Sequence, residues 1–73
     1  MDFRKATDEL LACISHRELA DTLGCSVATV RQARLGADAL AHRTPPEHWE
    51  SKVAKLAEQQ AAHFRRLAEK LNR

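Results

Sequence analysis

The stretch HRELADTLGCSVATVRQARL, residues 16–35, decides the fold, because it predicts two short helices joined by a sharp turn. Ser15 and Glu18 have the S-x-x-E spacing of a capping box, so the first of these helices is expected to begin at residue 16. Gly24 ends it, since glycine adopts the left-handed conformation without a Cβ penalty. The chain therefore reverses direction sharply at this glycine.

The second helix and its packing follow from the same stretch. Ser26 can cap a helix over residues 27–35. The small residue Ala20 lies where the two helices approach closely, and apolar side chains fill the angle between them, at Leu19, Leu23, Cys25, Val30 and Ala33. This pattern is typical of a helix-turn-helix.

One further helix is predicted on each side of this pair. Asp2 can cap a helix over residues 3–14, whose apolar face carries Phe3, Ala6, Leu10, Cys13 and Ile14. The sequence Thr44-Pro45-Pro46 cannot continue a helix, so we expect a hinge there, followed by a helix over residues 47–71. The predicted fold is all-α. A helix-turn-helix unit of three short helices, residues 1–43, precedes a long C-terminal helix in residues 44–73.

The composition favours one small helical domain with a thin core. The chain has 73 residues, of which 44% are hydrophobic and 30% are charged. A formal net charge of +2 is too small to indicate nucleic-acid binding by itself. Residues 27–43, however, carry Arg31, Arg34 and Arg43 against the single acid Asp38. Positive charge is therefore concentrated in and after the second helix of the pair.

Metal, membrane and enzyme interpretations find little support. Cys13, Cys25 and His16 lack paired-ligand spacing, and both cysteines are expected in the core, so we expect no metal, cofactor or small-molecule ligand. No apolar run approaches the roughly 20 residues that cross a bilayer, and no signal peptide is recognised. A reduced, cytoplasmic protein is therefore expected. No nucleophile with a base, carboxylate pair or phosphate loop indicates an enzyme.

The segment ELADTLGCSVATVRQ resembles the bacterial and phage regulators of the Cro and repressor type. Their usual pattern is E-L-A, then Leu-Gly, a hydrophobic residue, Ser and a T-[VI] pair, and the resemblance covers residues 7–36. It implies that the second of the two helices enters the major groove of DNA and that the protein binds as a dimer. The long C-terminal helix departs from the compact helical ending of that family.

The outward face of the second helix carries the candidate DNA contacts. Arginine can bond bidentately to guanine and glutamine to adenine, while a small apolar side chain can touch a thymine methyl group. The predicted base contacts are Val27, Ala28, Arg31 and Gln32. Phosphate contacts are predicted at helix starts and at outward arginines, namely His16, Arg17, Ser26, Thr29, Arg34 and Arg43.

The long helix carries a stripe of apolar or long residues with helical spacing, at Trp49, Val53, Leu56, Gln60, Phe64, Leu67 and Leu71. A helix of this length reaches about 37 Å, beyond the roughly 25 Å of the preceding unit. We therefore predict a homodimer through residues 49–71, with the first half of the helix also packing on its own unit. The spacing leaves parallel and antiparallel pairing open.

These features together predict a transcriptional regulator that binds double-stranded DNA. A symmetric dimer would recognise an inverted repeat with half-site centres roughly 34 Å apart. Repression is favoured over activation, because occupancy of an operator alone is enough for it. Two alternatives stay open: a protein-interaction module such as an antitoxin or antiactivator, and a recombination accessory factor that bends DNA.

Overall fold

The computed structural model describes residues 1–72 of the chain and consists of four helices. These are α1 (Phe3–Leu11), α2 (His16–Leu23), α3 (Val27–Ala33) and α4 (Trp49–Leu71). The prediction of an all-α fold with three short helices before a long one is confirmed. Arg73, the last residue of the predicted C-terminal segment, lies outside the described residues.

Within residues 1–72, none of the helices combines the length and the hydropathy needed to cross a membrane.

The starts of the short helices are held by side-chain caps. Ser15 Oγ accepts a hydrogen bond from the backbone N–H of Glu18 at 3.1 Å, and Ser26 Oγ accepts one from Thr29 at the same distance. Gly24 adopts φ 73°, and its N–H donates to carbonyls of the last turn of α2. Ser15, Gly24 and Ser26 therefore have the local roles that their residue types predict.

Two helix ends differ from the prediction. α1 ends at Leu11 rather than residue 14, and the N–H groups of Cys13 and Ile14 both donate to the Leu10 carbonyl, which tightens the chain into a turn. This turn leaves Cys13 exposed and Ile14 buried, so the prediction that Cys13 lies in the core was wrong. α3 ends at Ala33 instead of residue 35, and Arg34 is its C-cap.

The start of α4 also differs. The helix begins at Trp49, two residues later than predicted, because His48 takes the N-cap position with a left-handed φ of 60° and no side-chain cap. The Trp49 ring packs edge-on against Phe3 with 5.2 Å between ring centroids. This aromatic contact joins the beginning of α4 to the beginning of α1.

The segment between α3 and α4 is attached to α3. The N–H of Arg43 donates to the Gln32 carbonyl at 3.2 Å, and His42 Nδ1 lies 2.9 Å from the Leu35 carbonyl oxygen. Pro45 and Pro46 are half-buried. The segment predicted to be a hinge is therefore held against the end of α3 and the body of the protein.

All four helices contribute to one core. Leu19 and Val30 are fully buried at its centre, where α2 meets α3, and both α1 and α2 pack against α4. The other buried apolar residues are Phe3, Leu10, Ile14, Ala20, Leu23, Ala33, Val53 and Leu56. Because Val53 and Leu56 come from α4, the core does not divide between residues 1–43 and 44–73.

The overall shape is elongated, with principal extents of 52 × 20 × 18 Å. We call residues 1–56 the head and residues 57–71, the rest of α4, the distal half. The distal half adds about 22 Å of helix beyond the last core residue, at 1.5 Å per residue. Its large apolar side chains, Phe64, Leu67 and Leu71, are exposed.

Candidate nucleic-acid interface

The outward face of α3 is presented to solvent because the opposite face is anchored in the core. Val30 and Ala33 are buried between α3 and the rest of the head. Ala28 and Arg31 are consequently exposed, and Gln32 is partly exposed. Arg31 and Gln32, the two polar base contacts in the prediction, therefore lie next to each other on an accessible helix surface.

Val27 and Arg43 also lie beside this face. Val27 is only partly exposed, because it packs against the core at the start of α3, so Ala28 is the more accessible of the two small apolar candidates. Arg43 is exposed, and the hydrogen bond from its N–H to the Gln32 carbonyl brings its backbone to the C-terminal end of α3. Arg43, from the segment after α3, is thereby attached near the helix that carries Arg31.

Three arginines line an open pocket beside this face. Arg4 of α1, Arg31 and Arg34 of α3, and Leu35 surround a volume of about 210 Å³. The prediction from the sequence did not include Arg4, because it lies on a different helix, 27 residues before Arg31. The one feature of the sequence that could have indicated Arg4 is that it is a basic residue at an outward position in the first turn of α1. Only the folded chain shows that the two arginines line the same pocket.

The positive charge of this pocket is only partly neutralised. The Arg34 guanidinium donates through Nη2 to the Asp8 carboxylate, and within residues 1–72 this is the one ion pair. Arg34 is therefore held by α1 through a carboxylate, and its phosphate contact stays a prediction. Within residues 1–72, Arg4 and Arg31 have no carboxylate partner. Like charges converging on one concave surface favour an anionic partner.

The remaining predicted phosphate contacts lie at the starts of α2 and α3. The Ser26 and Thr29 hydroxyls are 2.9 Å apart and form the cap of α3. Arg17 is exposed in the first turn of α2, whereas His16 is half-buried. Ser26 and Thr29 thus have a structural role that does not depend on DNA, and Arg17 is the freer of the two α2 candidates.

A hydrogen bond also joins α4 to α2, the helix that precedes α3. Lys52 Nζ donates to the Leu23 carbonyl at 3.4 Å, which binds α4 to the last turn of α2. Burial raises the pKa of the neighbouring Cys25 thiol, and the charge of Lys52 acts in the opposite direction. Cys25 is therefore a packed, protonated thiol in the turn and not an activated nucleophile.

The residues predicted for a dimer interface divide into two groups. Val53 and Leu56 are buried in the head of their own chain, with Trp49 packed beside them, so these three side chains do not form a free surface. Gln60 is half-buried at the boundary. The interface prediction is thereby restricted to the distal half, where Phe64, Leu67 and Leu71 are exposed.

Comparison of the chain with protein-family models, curated proteins and solved structures found no match. The interpretation of the α3 face and of the arginine pocket therefore depends on the chemistry of the residues that form them.

Proposed function

We propose that this protein is a sequence-specific DNA-binding transcriptional regulator that acts in the cytoplasm as a homodimer. The observation that carries the proposal is the exposed Arg31–Gln32 face of α3 beside a pocket in which Arg4 and Arg31 have no acidic partner. A short exposed helix with a basic rim matches the two requirements of DNA recognition, which are base readout and attraction to phosphate.

Base readout is assigned to the outward residues of α3. An α-helix with its side chains is about 10–12 Å across, so the exposed face of the 7-residue α3 can enter the major groove, which is roughly 12 Å wide. Arg31 is suited to the O6 and N7 atoms of guanine, and Gln32 to the N6 and N7 atoms of adenine. Ala28 is small enough to lie against a thymine methyl group without obstructing either contact.

Phosphate attraction is assigned to the arginines around α3. Arg4 lines the pocket from α1, and the backbone of Arg43 is bonded to the Gln32 carbonyl of α3, so both cations come from outside the reading helix. Such contacts fix the orientation of the helix on the duplex but carry little sequence information. They make affinity depend on salt, because each neutralised phosphate releases condensed counterions.

Regulation would follow from occupancy of the binding site. A symmetric dimer presents two α3 helices and would recognise an inverted repeat. A dimer bound across a promoter excludes other proteins from that DNA, so repression is the favoured role.

The proposal is tested by selecting binding sites from random duplex DNA and titrating the selected duplex with purified protein at two salt concentrations. Arg31→Ala should weaken binding to the selected site by about 1–3 kcal/mol, because a bidentate base contact is lost. The matched control is Arg65→Ala, which removes the same charge from the exposed distal half. Failure of the unmodified protein to bind any duplex at low salt would reject the proposal in favour of a protein-interaction module.

Arg4 provides a second test, because its proposed contact is to phosphate alone. Arg4→Gln should weaken binding to all duplexes by a similar factor and reduce the slope of log affinity against log salt by about 1. Lys5→Gln is the control, since Lys5 is exposed on α1 but does not line the pocket. Equal effects of the two variants would show that Arg4 contributes only to the general charge of α1.

A further inference from the structure

One apolar stripe runs along the whole of α4, but the head covers only its first part. Val53 and Leu56 are 8% and 7% exposed, whereas Phe64, Leu67 and Leu71 are 46%, 46% and 76% exposed. Steps of three, eight, three and four residues keep all five side chains on one side of the helix. The uncovered surface is therefore a direct continuation of the surface on which α1 and α2 pack.

We propose that this uncovered stripe pairs with the same stripe of a second copy in an antiparallel arrangement, with the two-fold axis close to Phe64. The proposal rests on the homodimer of the proposed function and names its geometry. Two observations carry it: the position of the head on the stripe, and the order of large and small residues in the distal half.

The position of the head excludes parallel pairing. Packed helices lie about 8–10 Å apart, whereas the head is about 20 Å across in its short dimensions. In a parallel pair joined through this stripe, both heads would lie at the same end and on the facing sides of the two helices. They would occupy the same space. In an antiparallel pair, each partner helix lies beside residues 57–71, and the heads project at opposite ends.

The residue order fits an axis at Phe64, the midpoint of the exposed stretch from residue 57 to residue 71. Around this axis Leu67 shares a layer with the partner's Ala61, and Leu71 shares one with the partner's Ala57. Each leucine thus meets a methyl-sized neighbour, which lets the helices approach without overcrowding. Phe64 meets its own symmetry mate, so the largest exposed side chain of the distal half becomes the centre of the contact.

This arrangement sets the distance between the two heads. Val53 of one chain and Val53 of the other would be separated along the helix direction by about 33 Å, at 1.5 Å per residue. One turn of DNA is about 34 Å. The axial offset between the two heads is therefore of the same order as one turn of DNA.

The orientation can be measured by pulsed electron paramagnetic resonance on spin-labelled full-length protein without DNA. Cys13→Ser and Cys25→Ala remove the native thiols, and a single label is attached through Ser51→Cys or Asn72→Cys, both exposed positions. Antiparallel pairing predicts label separations of about 40 Å at residue 51 and about 25 Å at residue 72, with a few ångströms added by the linkers. Similar short separations at both positions would show parallel pairing and overturn the proposal.

Sedimentation over a range of protein concentrations tests whether the stripe forms the contact. Phe64→Glu should weaken dimerisation at least roughly thirtyfold, since a charge would be buried at the centre of the interface. Gln59→Glu adds the same charge on the opposite, exposed side of α4 and should leave dimerisation nearly unchanged. A protein that is monomeric at all concentrations, or two variants with equal effects, would refute the proposal.

The outcomes separate this proposal from the proposed function. If the protein forms an antiparallel dimer but binds no duplex, the proposed dimer geometry is supported and the proposed DNA-binding function is rejected. If the protein selects an inverted repeat but the spin labels report parallel helices, the DNA-binding function is supported and the antiparallel geometry is rejected.

Discussion

The two halves of α4 have the same sequence pattern and opposite surroundings. From Trp49 to Leu56 the apolar side chains complete a core formed with α1 and α2, whereas from residue 57 onward similar side chains contact solvent. The spacing of apolar residues identifies which side of a helix is apolar, but not which protein surface covers it. That depends on how far the neighbouring elements reach. In this chain, α1 and α2 are too short to extend beyond the first two turns of α4.

The largest expected difference between the halves is in the cost of removing a leucine. Leu56→Ala should lower the free energy of unfolding by about 2–5 kcal/mol, because it leaves a cavity in the core. Leu71→Ala should lower it by less than about 0.5 kcal/mol in the monomer, because Leu71 is exposed. Urea unfolding followed by circular dichroism at low protein concentration measures both values.

Repeating that measurement at a hundredfold higher concentration sharpens the comparison. The loss of unfolding free energy caused by Leu71→Ala should increase as dimers form. The loss caused by Leu56→Ala should come from the core of its own chain, because the Leu56 side chain does not contact the partner. Equal losses of unfolding free energy for the two variants at the lowest concentration would mean that Leu56 and Leu71 are equally buried, and would contradict the difference between the two halves.

A smaller difference is expected for two serines. Ser26→Ala removes the cap of α3 and should cost about 1 kcal/mol of stability. Ser51→Ala, in the exposed first turn of α4, should be neutral or stabilising by a few tenths of a kcal/mol, since alanine has the higher helix propensity. Shifts of the urea midpoint at constant slope report both effects. A loss at Ser51 as large as that at Ser26 would show that α4 depends on local capping in the way α3 does.

The smallest stability effect is expected at the ion pair between α1 and α3. The side chains of Asp8 and Arg34 are 53% and 21% exposed, so Asp8→Asn should cost less than about 1 kcal/mol. On the proposed function the same change should increase affinity for random duplex DNA by up to about fivefold, because Arg34 is released and a negative charge is removed near phosphate.

Fluorescence anisotropy with labelled DNA measures this affinity. Asp21→Asn is a matched control, since Asp21 is exposed on α2 and does not line the arginine pocket. If both substitutions increase affinity equally, the effect comes from the net charge of the head and not from the release of Arg34.

The local features of the fold were predictable because they depend on near neighbours in the sequence. Ser15, Ser26 and Gly24 act within three or four residues of their own positions, and each has the predicted role. The exact helix ends were less predictable. α1 stops early because the turn that buries Ile14 requires it, and α4 starts late because His48 adopts a left-handed conformation. Both depend on how the chain packs against elements far away in sequence.

The candidate site was partly predictable for the same reason. The exposure of Arg31 and Gln32 follows from the burial of Val30 and Ala33 on the other side of α3, which helical periodicity indicates. The contribution of Arg4, and the engagement of Arg34 by Asp8, depend on how the fold places α1 relative to α3. No spacing within one helix reports that placement, so both features required the folded chain.

The continuity of α4 has a mechanical consequence. The helix is unbroken from Trp49 to Leu71, so the part that belongs to the head core and the part proposed to pair are a single rigid rod. Inserting one residue in the distal half would lengthen this rod by about 1.5 Å and rotate one end against the other by about 100°. If the protein acts as proposed, it should therefore bind poorly to operators whose half-sites are separated by one extra base pair. The DNA would have to twist to compensate, because α4 has no break at which it could bend.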